Sequence, residues 1–201
     1  MEMEIFWIIG GVILGYFWGS FFQPGYWVGK MKGEDIREKG SGSTGGTNVG
    51  RLYGWKFGIP VILLDSLKCL ILTSIAYWVL RDGMLTMAVM LSVIAGHMYP
   101  CFYDFQGGKG VASAAGGLIP MLGWLFIPFI GYWFVLLLIV RTMSLANLIM
   151  ALFVPVFLWW AQHSGNYANY VFFGVLLIIL VYYSHRENIG RLIRGEEKRI
   201  F

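Results

Sequence analysis

Residues 5–28 read IFWIIGGVILGYFWGSFFQPGYWV and contain no charged side chain. A helix of this length covers about 36 Å, which exceeds the roughly 30 Å of hydrocarbon in a bilayer. The stretch follows Glu2 and Glu4 instead of basic residues, and it ends in no small-residue cleavage site. We therefore expect a retained membrane span and not a cleaved signal peptide.

Five further apolar runs follow the first one, and the overall composition agrees with them. The chain is 58% hydrophobic and only 13% charged over 201 residues, whereas soluble domains carry roughly 25% charged residues. The sequence predicts an all-α integral membrane protein with one domain over residues 1–201. The further runs lie at 57–80, 84–103, 112–140, 143–162 and 167–184.

The basic residues predict how the chain is oriented. They concentrate in the loop 29–56 and in the tail that starts at residue 185. The positive-inside rule places both segments in the cytoplasm and the N-terminus outside. Six single crossings would leave the tail outside, so we expect the run 112–140, which glycines and prolines interrupt, to cross twice or to enter and return. About seven transmembrane helices result, with the C-terminus cytoplasmic.

The loop 29–56 contains a glycine-rich segment, GSGSTGGTN, at residues 40–48. Glycine lets successive backbone N–H groups turn toward one point, and such concavities bind phosphate. Arg51 follows closely and can add a bidentate fork to a bound anion. A flexible linker is the alternative. A P-loop is excluded because Gly46 stands where that motif requires lysine.

Three other polar segments are expected on the same side of the membrane. In GGKGV, residues 107–111, glycines frame Lys109, an arrangement suited to phosphate or to an interfacial turn with a snorkelling lysine. Ser144 lies at an expected helix start, as an N-cap or as part of an anion-binding helix terminus. His185 and Asn188 share a face if the tail is helical; a solvated tail is the alternative.

The remaining polar residues of the spans have structural interpretations. Asp65 and Lys68 are three residues apart and are expected to pair, because an unpaired charge inside a membrane is costly. His97 is more readily a structural histidine than a catalyst. The chain has no H-E-x-x-H or paired-cysteine zinc pattern and no G-x-S-x-G elbow. It contains no obvious pair of covalent nucleophile and base.

In order and spacing, these segments together resemble one family, the acyl-phosphate-dependent glycerol-3-phosphate acyltransferases, or PlsY family. Each motif is weak alone, but the ordered set spans nearly the whole chain. The matching pieces are Gly19-Ser20, Gly29-Lys30, Lys32-Gly33-Glu34-Asp35-Ile36-Arg37, Gly40-Ser41-Gly42, Thr47-Asn48-Val49, Arg51, Leu64-Asp65 with Lys68, Gly96-His97-Met98-Tyr99-Pro100, Gly107-Gly108-Lys109-Gly110-Val111-Ala112, Ser144-Leu145-Ala146 and His185-Arg186-Glu187-Asn188-Ile189.

The resemblance implies transfer of a fatty acyl group from acyl phosphate to the 1-hydroxyl of glycerol 3-phosphate, yielding lysophosphatidate and phosphate in bacterial phospholipid synthesis. It implies a seven-helix protein of the bacterial inner membrane, embedded in the lipid bilayer, with a cytoplasmic active site, no metal or other cofactor and no nucleic-acid partner.

The resemblance also assigns residues by position. It implies that Ser41, Gly42 and Asn48 bind the acyl-phosphate head group. It implies that glycerol 3-phosphate is bound by Arg51, Lys109, Ser144, His185 and Asn188, and the last four of these are the expected catalytic residues.

Three positions depart from the family pattern. Ser43 stands where the family usually has asparagine, and Gly46 where it usually has alanine; both keep the loop small and polar, so activity is expected to survive. Gln106 replaces a usual lysine, which removes one cation and should weaken substrate affinity.

A transporter or channel for phosphate or phosphorylated metabolites is the alternative function. It is disfavoured because no internal repeat is visible and the candidate ligands are expected on one membrane face. A structural scaffold would not explain three loops with residues suited to phosphate.

Overall fold

The computed structural model describes residues 2–161 and 167–200, and every regular element within these ranges is a helix. Contacts divide the chain into two compact units, Met1–Pro120 and Met121–Phe201. The expectation of one domain over residues 1–201 stays a prediction.

Among its described residues, the first unit contains six α-helices. Residues 32–45 separate the second helix from the third, and residues 99–110 separate the fifth from the sixth. A 3₁₀ turn, Ile36–Glu38, precedes the third helix, and a wide π turn, Ile75–Leu80, follows the fourth. The helices are α1 (Glu2–Phe21), α2 (Pro24–Met31), α3 (Gly46–Tyr53), α4 (Trp55–Ser74), α5 (Gly83–Met98) and α6 (Val111–Leu122), the last of which ends just beyond the unit.

Helices α1 and α5 pack closely because glycines line their contact. A methyl group on Gly19 would meet the backbone of Val93, and one on Gly96 would meet the backbone carbonyl of Tyr16. Small residues of this kind let two helices approach within a membrane, where packing and not the hydrophobic effect drives association. This contact fixes the end of α1, from which the polar part of the unit starts.

The first apolar run is two helices and not one. The chain breaks at Phe22 and Gln23, and Pro24 starts α2 at a position where its missing N–H costs nothing. The break frees backbone carbonyls that buried side chains satisfy. The Lys68 ammonium donates to the Phe22 carbonyl at 2.7 Å, and the Gln23 amide donates to the Gly19 carbonyl at 2.9 Å.

The expected pairing of Asp65 with Lys68 is confirmed. Lys68 Nζ lies 3.0 Å from Asp65 Oδ1, and both side chains are at most 1% exposed. The same ammonium lies 2.7 Å from Nδ1 of His97, which is also buried. Each charge is therefore compensated inside the unit, as a low-dielectric site requires. His97 has a structural partner, as expected for a structural histidine.

In its described parts, residues 121–161 and 167–200, the second unit contains four α-helices and a 3₁₀ turn, Gly123–Leu125. Trp133 donates from Nε1 to Asn147 Oδ1 at 2.8 Å, and Tyr182 donates to the Leu148 carbonyl at 3.3 Å. These bonds join the first three helices of the unit. Residue 162, the expected end of the fifth apolar run, lies outside the described residues. The helices are α7 (Phe126–Val140), α8 (Met143–Ala161), α9 (Tyr167–Ser184) and α10 (Arg186–Ile193).

Four helical stretches of the described residues are long and apolar enough to cross a membrane, by length and composition. Helices α9 and α10, bent by 62°, add a fifth if the pair is one span, and α5 is apolar but shorter. The run 112–140 breaks at Gly123, where φ is +55°. A helical membrane protein with several spans is thus confirmed, whereas seven crossings and the sidedness of the termini stay predictions. The four stretches are Ile5–Met31, Trp55–Val79, Val111–Val140 and Met143–Ala161.

Candidate functional site

Asn48 braces the glycine-rich loop of the first unit from inside. Its Oδ1 accepts from the Ser41 amide at 3.0 Å, and its Nδ2 donates to the carbonyls of Lys39 at 3.1 Å and Ser43 at 2.9 Å. The side chain is buried and sits in the first turn of α3. Gly40, with φ of +62°, passes so close to the Asn48 amide that a methyl group there would clash with it. The loop therefore needs glycine at position 40 to leave room for the Asn48 side chain that holds it in shape.

The glycine pattern predicted a cradle of backbone N–H groups that point outward to a phosphate. In the structure, several of these N–H groups bond within the loop instead. The Gly42 amide donates to the Lys39 carbonyl at 3.0 Å, and the Gly45 amide donates to Ser43 Oγ at 3.2 Å. With the Ser41 amide bonded to Asn48 as well, three of these N–H groups hold the loop together. Ser41 and Gly42 are themselves half-buried, and Arg51 is exposed in the last turn of α3.

Gln23 joins this loop to the second glycine segment, a role that no motif in the sequence indicates. The buried Gln23 amide donates to the His97 carbonyl at 3.3 Å, and its oxygen accepts from the Thr44 hydroxyl at 3.2 Å. Thr44 also donates its backbone N–H to the Gly107 carbonyl at 3.3 Å. The segments 40–48 and 107–111, which lie far apart in sequence, are therefore joined by hydrogen bonds of buried groups.

The position of Lys109 is set by the glycines around it. The Gly108 amide donates to the His97 carbonyl at 3.1 Å, and a methyl group on Gly108 would clash with the His97 imidazole. Gly110 has φ of +80°, and α6 begins directly after it. The half-buried Lys109 thus precedes a helix N-terminus, where the partial positive charge of the helix also favours an anion.

Arg37 anchors the loop from its other end and is structural. It donates to Asp35 through Nε at 2.9 Å and Nη2 at 2.8 Å, and through Nη1 to the Tyr103 carbonyl at 2.9 Å. The hydrogen bonds from Arg37 hold the pKa of Asp35 well below its usual range, against the opposing effect of burial. The bond from Arg37 to the Tyr103 carbonyl fastens the segment before the glycine loop to the turn that leads into segment 107–111, and the ion pair with Asp35 holds the guanidinium in place for it.

In the second unit, Ser144 and Asn188 converge on a carboxylate of the C-terminal tail. Glu197 Oε1 accepts from Ser144 Oγ at 2.9 Å and from Asn188 Nδ2 at 2.6 Å. Its Oε2 accepts from Arg191 Nε at 2.7 Å. Burial alone would raise the pKa of Glu197, but these bonds, that from Arg191 foremost, outweigh burial and lower the pKa.

The second unit corrects two local expectations from the sequence. Helix α8 begins at Met143, so Thr142 precedes it and Ser144 lies in its first turn instead of forming the N-cap. His185 is not inside a helix with Asn188, because it precedes α10 at the 62° bend after α9. Its Nδ1 lies 2.8 Å from the Val181 carbonyl. A carbonyl only accepts, so Nδ1 carries a hydrogen in this contact.

Glu197 was missed because no motif marks it, although its neighbour offers a signal. Gly195 follows the last residues of α10 with φ of +69°, and the N–H groups of Gly195 and Glu196 donate to the carbonyls of Leu192 and Arg191. This is the Schellman ending, for which glycine just past a helix is the sequence signature. Recognising it would have predicted that the tail folds back along α10.

Comparisons with known proteins identify the family to which this sequence is similar. The family described as Glycerol-3-phosphate acyltransferase matches residues 9–195. A glycerol-3-phosphate acyltransferase of Prochlorococcus marinus (strain NATL2A) is 37% identical over 94% of this chain and 96% of its own length. One of Shewanella sp. (strain W3-18-1) is 36% identical over 94% of this chain and 91% of its own.

Solved structures give the same result in three dimensions. The crystal structure of PlsY (YgiH), an integral membrane glycerol 3-phosphate acyltransferase, in its glycerol 3-phosphate form matches with a TM-score of 0.89 at 36% identity, over 96% of both chains. The lysophosphatidic acid form of PlsY matches with a TM-score of 0.86, over 96% of this chain and 95% of the other.

Proposed function

The chain belongs to the glycerol-3-phosphate acyltransferase family, and from that premise we propose that it transfers a fatty acyl group from acyl phosphate to the 1-hydroxyl of glycerol 3-phosphate. The products are lysophosphatidate and inorganic phosphate. One C–O bond forms between the acyl carbon and the glycerol oxygen, the bond from the acyl carbon to the phosphate oxygen breaks, and the hydroxyl proton leaves with the departing phosphate or with water.

The observation that carries this proposal is the joining of the two glycine segments through Thr44 and Gly107. It puts polar backbone, the exposed Arg51 and the half-buried Lys109 on one unit, beside a helix N-terminus. Both substrates are phosphorylated, and such a surface suits anions. Acyl phosphate is already activated, so fixed cations and good orientation can supply much of the acceleration without a covalent nucleophile.

We assign the residues of the first unit as follows. Ser41 and Gly42 contact the acyl-phosphate head group, and Asn48 acts on it through the loop that it braces. Arg51 and Lys109 bind the phosphate of glycerol 3-phosphate, because a guanidinium forms two parallel bonds to phosphate and an ammonium supplies a point charge.

From the second unit we assign Ser144, His185 and Asn188 to glycerol 3-phosphate as well. All three side chains are buried at helix termini, and they offer both donors and acceptors. A substrate with three polar ends, two hydroxyls and one phosphate, needs such a mixed set. Lys109, Ser144, His185 and Asn188 are the groups that we expect to touch the reacting atoms.

The surroundings of the reaction follow from the membrane spans. The acyl tail stays among apolar helices while the head group reaches the polar residues at the helix ends. We place this polar end in the cytoplasm of a bacterial cell, with the protein in the inner membrane, because the segments 29–56 and 185–200 are rich in basic residues. Seven crossings with an external N-terminus are part of the same proposal.

The test is formation of lysophosphatidate by the purified protein from palmitoyl phosphate and labelled glycerol 3-phosphate, with acyl-CoA replacing the acyl phosphate in parallel reactions. We expect product with palmitoyl phosphate alone. If only acyl-CoA gives product, the assignment of acyl phosphate as the donor is wrong. If monodisperse protein forms no product with either donor, the proposed reaction is wrong. Cysteines placed singly at the half-buried positions 41 and 109 and at the exposed position 187 test sidedness, since all three should react with an impermeant reagent from the cytoplasmic face.

A further inference from the structure

The C-terminal tail is held by its own set of contacts. The Schellman ending at Gly195 turns the chain back along α10, and the Ile200 N–H donates to the Arg141 carbonyl at 2.9 Å. Between these two fixed points the tail buries Glu197, whose side chain is 4% exposed. An acidic side chain is almost never buried this far unless it is paired.

The carboxylate of Glu197 is fully engaged by groups of the second unit. Ser144 and Asn188 donate to one oxygen, and Arg191 donates to the other. Two of these three donors are residues that we assign to glycerol 3-phosphate. Hydrogen bonds to an ionised acceptor are roughly twice as strong as neutral ones, so this carboxylate contributes strongly to the orientations of both Ser144 and Asn188.

The bond to Glu197 determines what Ser144 offers to a substrate. A serine hydroxyl has one hydrogen to donate and two lone pairs that accept. Because the hydrogen points to Glu197 Oε1, Ser144 Oγ faces any further partner as an acceptor. A phosphate oxygen without a proton also only accepts, whereas a glycerol hydroxyl donates. Ser144 in this state therefore suits the glycerol hydroxyls and not the phosphate.

We infer that Glu197 is a positioning residue of the acyl transfer, which fixes the Ser144 hydroxyl as an acceptor for a glycerol hydroxyl and orients the Asn188 amide beside it. The inference rests on the proposed function. The adjacent Glu196 provides a natural comparison, because it is exposed, pairs with Arg194 at 2.7 Å, and contacts neither Ser144 nor Asn188 in the described bonds.

The experiment compares Glu197→Gln with Glu196→Gln in the full chain, measuring KM for both substrates and kcat. Glutamine keeps the length of the side chain but removes the charge and turns an N–H₂ group toward its donors. We expect Glu197→Gln to raise KM for glycerol 3-phosphate about tenfold or more, with KM for palmitoyl phosphate within about twofold of wild type. Glu196→Gln should leave both KM values within the same twofold range.

A double-mutant cycle with Ser144→Ala separates positioning from general support of the fold. If Glu197 acts through Ser144, the double variant raises KM for glycerol 3-phosphate by less than the product of the two single effects. If Glu197→Gln does not give monodisperse protein, Glu197→Asp keeps the charge on a shorter arm and should still raise KM for glycerol 3-phosphate selectively.

Several results would overturn the inference while leaving the proposed function intact. They are an unchanged KM for glycerol 3-phosphate, equal losses for both substrates, strict multiplicativity in the cycle, and a lowered KM, which would mean that Glu197 competes with the substrate. Absence of turnover in the wild-type protein and in Glu196→Gln would instead refute the proposed function.

Discussion

The backbone N–H of Thr44 donates to the carbonyl of Gly107 at 3.3 Å and thereby joins two glycine segments that lie 63 positions apart. Glycine loses more conformational freedom on folding than other residues, so bonds between the segments are needed to hold them in one relative position. Gln23, which belongs to neither segment, supplies two of them. Its side-chain oxygen accepts from the Thr44 hydroxyl, and its amide donates to the backbone carbonyl of His97, which also accepts from the Gly108 amide.

Replacing Gln23 by alanine should loosen both segments at once. The change removes the acceptor of the Thr44 hydroxyl and one donor to the His97 carbonyl, leaving buried polar groups unsatisfied. We expect a loss of about 1–3 kcal/mol in the free energy of unfolding and about a tenfold fall in kcat/KM for both substrates. Thermal unfolding in detergent and steady-state kinetics measure the two effects. Full activity in this variant would show that the joint between the segments is dispensable.

Asn48→Asp tests the brace inside the glycine loop with almost no change in shape. The variant keeps the acceptor for Ser41 but loses both donors, and its second oxygen then faces the carbonyls of Lys39 and Ser43. We expect a loss of about 3 kcal/mol in stability and activity near background. Ser43→Asn is the matched control, because an asparagine oxygen can accept from the Gly45 amide as Ser43 Oγ does. Ser43→Asn should retain activity within about threefold of wild type. Comparable losses in the two variants would contradict the role of Asn48 as the residue that holds the loop in shape.

Features of the fold that depend on neighbouring residues could be predicted from the sequence, whereas features that depend on packing between distant segments could not. The apolar runs and the pairing of Asp65 with Lys68 were predictable, since hydrocarbon length and the cost of an unpaired charge are local constraints. The break at Gln23 was not, although Pro24 was a signal for it. A side chain at such a break can satisfy carbonyls of its own helix or of another segment, and the sequence does not tell which.

The candidate site shows the same division. Glycine content marked the loop 40–48 correctly as a special backbone, but it could not reveal that Asn48 uses its entire amide inside the loop. The role of Glu197 depends on a chain reversal at Gly195, which brings it to Asn188, nine positions back, and to Ser144, 53 positions back. A pairing of that separation follows from the fold and not from a motif.

Gly108→Ala tests whether His97 sets the position of Lys109. The added methyl group would clash with the His97 imidazole, which cannot retreat because Lys68 holds its other nitrogen at 2.7 Å. We expect the segment to shift and activity to fall about a hundredfold, since small misplacements near the reacting atoms have effects of that size. Gly131→Ala in α7 is the control, because a methyl group there meets nothing within 4 Å. Normal turnover of Gly108→Ala would show that the contact with His97 does not set the position of Lys109.

Lys109→Ala should remove nearly all activity from a protein that remains folded. The half-buried ammonium is the charge that we assign to the phosphate of the substrate, so its loss should lower kcat/KM about a thousandfold. Lys109→Arg should recover only part of the activity, because a planar fork does not replace a compact ammonium. Lys56→Ala removes an exposed lysine and should behave as wild type. Normal activity in Lys109→Ala would refute the assignment of this residue.

The ion pair of Asp35 and Arg37 predicts how stability depends on pH. The folded-state pKa of Asp35 lies below the ordinary value of 3.8, so its stabilisation is complete above that value and is lost as pH falls toward the folded-state pKa. Asp35→Asn lacks this contribution at every pH. We expect wild type to melt about 3 °C above Asp35→Asn at pH 5–7, and the difference to shrink progressively below about pH 4.

Glu38→Gln supplies the control for this pH series, because Glu38 is exposed in the same 3₁₀ turn that Asp35 caps. Its melting temperature should follow that of wild type over the whole range. Glu34, whose pKa the hydrogen bond from Lys39 also lowers, is present in all three proteins, so its own loss of stabilisation in acid cancels in the differences. A gap between wild type and Asp35→Asn that stays constant down to pH 3 would show that the asparagine acts through packing and not through the lost charge.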